Sequence, residues 1–246
     1  MTPTVSIVIP VWNEERRLPG CLVRLEDEAD AAAAAAGLEL TRIVVVDDGS
    51  TDATGAILQD FGGFPGRFEF LRFDRDNRGK GAAVRAGMLA VESDFALMSD
   101  VDLSTPLNEL PRLAEAVAAG SDIAIGSRGL ADSNVLVHQP WYRELAGKTF
   151  NVLIRAITRL PWRDTQCGFK LFRVASTRQL FELQRVDGFA FDVELLVLAR
   201  RLGLEVREVP VRWINDPDTH VGLFSSSARM AFDTLRIAYR WRDRPR

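Results

Sequence analysis

The sequence predicts an α/β fold built on a largely parallel central sheet with helices on both faces. Three observations predict it. Strand and helix patterns alternate from Val5 to Gly126, as a doubly wound sheet requires. The early strands are continuous apolar, β-branched runs, the pattern of strands buried on both faces. Clusters of polar residues follow the C-terminal ends of those strands, where open parallel sheets place their ligands.

Val5–Val11 is the first such run, followed by polar loop or cap residues at Asn13–Glu15. A helix from Leu18 to Ala36 follows. Its Ala29–Ala36 stretch is strongly helix-forming, and Gly37 suits its stop. Arg42–Val46 is the second strand and ends in the turn Asp47-Asp48-Gly49-Ser50. Thr51 or Asp52 is placed to cap the next helix, which runs to Phe61. A Gly62–Gly66 loop leads to a weakly alternating strand, Phe68–Phe73. The Gly-rich turn Asn77–Gly81 opens a helix over Ala82–Val91, and Phe95–Ser99 is the fourth strand. A helix at Leu107–Ala118 and a strand at Asp122–Gly126 complete the regular part.

After Arg128 the alternation weakens. Arg143–Arg159 reads as an amphipathic helix and Asp164–Phe172 holds a short strand. Val174–Leu183 and Phe191–Leu202 read as helices, Glu205–Trp213 as a last strand, and Ser225–Arg242 as a final amphipathic helix. No repeat and no linker divides the chain. The 246 residues are expected to form one domain, residues 1–246, with 129–246 as a half that is not an independent domain.

The composition is that of a globular protein with a substantial core: 47% hydrophobic and 26% charged residues. A net charge of -3 gives no bulk reason to expect nucleic-acid binding. Two cysteines far apart, Cys21 and Cys167, suit a reduced, cytoplasmic setting. The N-terminus has no signal-peptide pattern, and no apolar run reaches the roughly 18–20 residues that cross a bilayer. Any membrane contact is therefore expected to be peripheral.

Three acidic clusters follow predicted strands: Pro10–Glu15, Asp47–Asp52 and Asp100–Asp102. They should converge on one rim of the sheet. Asp100 and Asp102, two residues apart, can share a Mg²⁺ or Mn²⁺ ion that also binds a diphosphate. As isolated residues they equally suit a solvated loop. Asp47 and Asp48 can accept hydrogen bonds from a base or ribose, or simply build a turn and cap. Asn77–Gly81 offers backbone N–H groups and a cation for phosphate, or a solvated turn. It lacks the first glycine and terminal Ser/Thr of a Walker loop.

Together, PVWNEE, VVVDDGSTD, NRGKGAAVRAG, SDVD, IGSR and DTQCGFKLF, in this order, strongly resemble the family 2 glycosyltransferases of GT-A fold. Within them the chain is most similar to the dolichyl- and polyprenyl-phosphate sugar synthases, the glucosyl branch above all, over about Val5–Tyr239. The resemblance implies inverting transfer from a nucleotide-sugar, UDP-glucose favoured, to a polyprenyl or dolichyl phosphate. It implies that Pro10, Val11, Glu14, Asp47 and Asp48 surround the nucleoside and that Lys80 and Gly81 border the donor. Asp100, Val101 and Asp102 would meet the diphosphate, with Asp100 and Asp102 on the metal. Arg128 and Arg143 would hold the acceptor phosphate. Asp164 falls where relatives are proposed to carry a catalytic carboxylate, with Asp102 beside the reaction. Gln166, Lys170, Asp192 and Glu194 would shape the rest of the pocket.

The pattern departs from the family at two places. Ser104 stands where many relatives carry a glutamine. Thr219-His220-Val221 stands where a cationic pair usually follows the tryptophan, here Trp213. His138 and His220 read as surface histidines. A GDP-mannose donor, a non-lipid acceptor and a non-catalytic nucleotide-binding module are the alternatives. Apolar residues interleave with basic ones at Arg143–Arg159, and five arginines fall between Arg229 and Arg244 on and after the last helix. Both helices suit either a membrane interface or a core-facing position. Oligomeric state is left open.

Overall fold

In the computed structural model of the chain, residues 1–61, 66–74, 77–137, 141–214 and 223–241 are described, with side chains at 134–146, 148 and 223–228 left aside. The readings at His138, Thr219–Val221, Arg242 and Arg244, and for the Arg143 side chain, lie outside these residues.

Strand β1 (Thr4–Val11) is flanked by β2 (Glu39–Asp47) and β4 (Phe95–Met98), and β3 (Phe68–Arg72) lies beyond β2. These four strands are parallel. On the other side come β7 (Lys170–Arg173), β5 (Ile123–Ser127) and β8 (Val206–Pro210), giving a seven-stranded sheet of order β3-β2-β1-β4-β7-β5-β8. The short strand within Asp164–Phe172 is therefore β7, and it runs antiparallel between β4 and β5.

Alternation along the strands sends side chains to two cores. Ile7, Ile9, Ile43 and Val45 join the cluster that includes Leu22 and Leu25 of α1 (Leu18–Ala35) and Leu110 and Leu113 of α4 (Leu110–Ala118). Val8, Val44 and Val46 join residues of α3 (Lys80–Ala90), α6 (Val174–Leu183) and α7 (Phe191–Leu202) on the opposite face. Full burial on both faces explains why these strands lack a polar side.

The structure corrects several boundaries. The helix predicted from Ala82 begins at Lys80, because Gly79 turns the chain with φ 116° and Lys80 and Gly81 then form the first helical turn. The helix α2 (Thr54–Asp60) is entered at Ala53. Asp52 serves it by accepting the Thr54 N–H at 2.9 Å. The expected strand Glu205–Trp213 is two strands. β8 ends at Pro210, and β9 (Arg212–Ile214) leaves the main sheet to pair with β6 (Asn134–Val137), a strand the sequence reading missed. Val211 still donates its N–H to Ser127 O at 3.2 Å, and the chain then passes from β5 to β6. Helices α5 (Trp141–Thr158) and α8 (Leu223–Arg240) pack against each other, and α8 also packs against α7.

Candidate active site

The turns after β1 and β2 are tied together by their own polar groups. Asn13 adopts φ 53°, a conformation asparagine tolerates. Its N–H donates to Ser50 Oγ at 2.9 Å, and its Oδ1 accepts the Thr51 N–H at 2.9 Å. The Glu14 N–H donates to Thr54 Oγ1 at 2.7 Å, and Glu15 Oε2 accepts the Ala53 N–H at 3.0 Å. Asp48 extends the chain of turns by accepting N–H groups of Arg78 at 2.8 Å and Gly79 at 2.7 Å. Burial pushes the Asp48 carboxyl pKa up, against the pull of those two donors. Lys80 then reaches the third acidic turn, its Nζ 2.6 Å from Asp100 Oδ1.

These turns border a cavity of about 1220 Å³ whose wall includes Pro10, Val11, Glu14, Asp48, Lys80, Asp100, Val101, Asp102 and Glu194. Asp47 is not on that wall. It is fully buried, accepts the Ser50 N–H at 2.9 Å, and has Arg72 Nε 3.4 Å from its other oxygen. Glu14 is held by a two-pronged pair with Arg17, at 2.7 and 2.6 Å. The far wall contains Arg185–Gly188 and, from α8, Arg229, Arg236 and Arg240.

The turn after β4 has a tight geometry. Leu103 is buried at φ 46°, an uncommon conformation for a leucine, and its N–H closes back on Asp100 O at 3.0 Å. The Ser104 N–H donates to Asp102 Oδ1 at 2.9 Å. Ser104 thus meets Asp102 through its backbone. Burial raises the Asp102 pKa, and the negative charge of Asp100 adds to it. Burial alone would lower the Lys80 pKa, but Asp100, Asp192 and Asp102 outweigh it and hold Lys80 above its usual value. Two carboxylates on one turn at the cavity wall, Asp100 paired with Lys80, are a donor set suited to a divalent cation. Among the described residues no cluster of three or more metal-ligating side chains forms. Any further ligands there would come from water or a bound phosphate, the usual arrangement for Mg²⁺.

Other predicted residues lie off that wall, most of them buried. Lys170 and Asp192 are buried and paired at 2.5 Å, and Lys170 also donates to Cys167 O at 2.6 Å. Arg128 grips Asp164 with Nε at 2.7 Å and Nη2 at 3.0 Å, and its backbone N–H adds a third bond at 3.0 Å. The Asp164 carboxylate raises the Arg128 pKa. Burial would push Asp164 up, but Arg128 dominates in sum and leaves it below the ordinary carboxylate value. Glu208 on β8 orders this loop, accepting the Asp164 N–H at 2.8 Å and the Ser127 hydroxyl at 2.7 Å. Gln166 Nε2 lies 3.1 Å from Met230 Sδ, linking the loop to α8. Gly81 packs against Val186 and Phe191. Arg143 lies on α5.

Sequence reasoning passed over Gly168, Glu208, Arg185–Gly188 and the part of α8 that faces the cavity. Arg229, Arg236 and Arg240 are spaced at seven and four residues, so they share one helical face. That spacing was the available signal. Cys21 and Cys167 are free and buried, and burial pushes their pKa values up to about 12 and about 11.

Comparison with known proteins places this architecture. Residues 6–181 match the family model for glycosyl transferase family 2. A dolichyl-phosphate beta-glucosyltransferase of Dictyostelium discoideum is 32% identical over 246 residues, covering 96% of this chain and 74% of that protein. One from Drosophila melanogaster is 34% identical over 248 residues, covering 96% and 75%. The crystal structure of glucosyl-3-phosphoglycerate synthase from Mycobacterium tuberculosis, in complex with Mn²⁺, UDP and glucosyl-3-phosphoglycerate, aligns with a TM-score of 0.67 at 20% identity. It covers 96% of this chain and 80% of that one. The fold is thus that of the GT-A glycosyltransferases, a class of sugar-transferring enzymes. Within that class, the chain belongs to glycosyl transferase family 2.

Proposed function

We propose that the chain transfers glucose from UDP-glucose to a polyprenyl phosphate of the dolichyl type, with inversion, using Mg²⁺ or Mn²⁺ at Asp100 and Asp102. The observation that carries this reading is the placement of both aspartates on one half-buried turn at the cavity wall, beside Lys80. The relatives named for transfer to dolichyl phosphate support the acceptor, and the Mn²⁺ and UDP of the structural neighbour support the donor side. A divalent cation held there would offset the charge that grows on the departing diphosphate. Lys80 adds a fixed positive charge to the same place, and Arg229, Arg236 and Arg240 bring more from across the cavity. About 1220 Å³ exceeds the ~300–1,000 Å³ common for one small ligand, leaving room for a donor and an acceptor headgroup.

Asp164 fits a positioning role. Its oxygens are occupied by Arg128, and its lowered pKa makes it a weak base. A phosphate acceptor is already anionic near neutral pH and needs little base assistance. Asp164 would instead hold Arg128, whose guanidinium also lies 5.4 Å from the Trp213 ring, in a fixed pose toward the acceptor phosphate. The reaction would take place at the cytoplasmic membrane face. Among the described residues no helix is long and apolar enough to cross a membrane.

The test is nucleotide release from a panel of UDP- and GDP-sugars with Mn²⁺ or Mg²⁺ and a polyprenyl phosphate. UDP-glucose should be turned over best, and Asp100→Asn or Asp102→Asn should cut turnover about 100-fold or more. Full turnover by Asp102→Asn, or no release with any donor, would overturn the proposal.

A further inference from the structure

Glu194 is completely buried on α7 yet borders the cavity. A buried carboxylate is costly unless its oxygens are satisfied, and here both are. Oε2 accepts the backbone N–H groups of Arg185 at 2.8 Å and Val186 at 2.7 Å, and Oε1 accepts the Trp241 indole N–H at 2.9 Å. One side chain therefore pins the 185–186 backbone and the end of the last helix at once. Trp241 follows α8 directly, its N–H donating to Ile237 O at 2.9 Å.

The pinned backbone leads to Lys80. A Cβ on Gly79 would overlap Asp187 O, and one on Gly81 would stand 2.6 Å from Val186 O, so the two glycines let this loop lie against the Asn77–Gly81 turn. The Ala82 N–H donates to Asp187 O at 3.2 Å, and Gln184 Nε2 bridges Gly81 O and Val186 O at 2.9 Å each. Lys80, between the two glycines, holds Asp100 at 2.6 Å.

We propose that Glu194 is a positioning residue that ties the seating of α8, through Trp241 and the Arg185–Asp187 backbone, to the placement of Lys80 and Asp100. The inference rests on the reading that the cavity binds a nucleoside diphosphate with a divalent cation. It adds that affinity there depends on a hydrogen bond made at the far end of the last helix. If α8 also meets the membrane, docking and donor binding share one mechanical link.

The experiment measures UDP binding, and GDP in parallel, each with Mn²⁺, by calorimetry on the full chain. Trp241→Phe keeps an aromatic side chain there but removes the indole N–H together with part of the ring that Arg201 covers. It should weaken nucleotide binding roughly tenfold or more, the scale of one hydrogen bond to a charged group, with far-UV dichroism unchanged. Glu194→Gln, the second variant, should weaken it at least as much. The double variant should bind no worse than Glu194→Gln alone, because both act through one contact. A purely structural role would lower the melting temperature of both variants and leave their nucleotide affinities at the wild-type value. Wild-type binding with undiminished Trp241→Phe affinity, or additive losses, would overturn this inference alone. Failure of wild-type protein to bind either nucleotide would overturn the reading of the cavity and this inference with it.

Discussion

Gly168 sits against the carboxylate of Asp100, and any Cβ there would overlap it. Backbone and side chain can approach this closely only because the residue has no side chain. Gly168→Ala should therefore push Asp100 off the cavity wall and weaken Mn²⁺-dependent nucleotide binding about tenfold. Calorimetry checks this, and unchanged affinity would remove Gly168 from the site. The sequence offered Gly168 only as a letter within DTQCGFKLF. Its neighbour in space is 68 positions away in the chain, and no local pattern encodes that contact. Asp100 and Asp102 were legible because two carboxylates directly after a buried strand are chemically conspicuous. Asp47 was equally conspicuous, but its oxygens face Ser50 and Arg72 rather than the cavity.

At the scale of elements, β7 and β8 bring together a loop that neither specifies alone. The segment before β7 carries Asp164, β5 ends next to Arg128, and Glu208 on β8 orders the Asp164 backbone. Asp164→Asn would break the ion pair and leave a buried guanidinium edge poorly matched. It should cost about 2–3 kcal/mol, less than a fully buried pair because Arg128 remains one-third exposed. Because the folded-state pKa of Asp164 is depressed, the pair's stabilisation is present above the unfolded value of ~3.9. It is lost as the pH falls through the lower folded-state value. Urea unfolding of the wild type should therefore weaken below about pH 4, and Asp164→Asn should lack that part of the decline. An identical acid profile in both would contradict the pairing. The strand alternation before Arg128 was readable because β1 and β2 are two-face apolar runs. The reversal of β7 was not, since a four-residue strand reads the same in either direction, and the β8–β9 break was not, since β9 is set apart by its pairing with the distant β6.

Across the whole molecule, the cavity has a polar floor at the sheet and an arginine-bearing wall on α8, whose outer side is apolar. Phe232, Leu235 and Tyr239 on α8 are 60%, 54% and 75% exposed, and Val152 and Leu153 on the neighbouring α5 are exposed as well. Together with basic residues, such a face suits the headgroup boundary of a bilayer. Phe232→Asp combined with Leu235→Asp should reduce co-sedimentation with vesicles containing anionic lipid roughly tenfold or more. Nucleotide binding in solution should fall much less, since neither side chain is on the cavity wall, although Arg236 of that wall packs over the Phe232 ring. Unchanged co-sedimentation would exclude this face from membrane contact.

The sequence by itself determined the alternating architecture, the rim at the strand ends and the carboxylate pair Asp100 and Asp102, because these follow from apolar periodicity and from residue types placed directly after strands. Tertiary structure decided which charges are available to a ligand. Asp164 and Arg128 satisfy each other, Lys170 satisfies Asp192, and Glu194 is spent on a loop and a helix end. A carboxylate's role depends on which donors lie within about 3 Å of it. Those donors come from positions distant in the chain, so only folding could assign them.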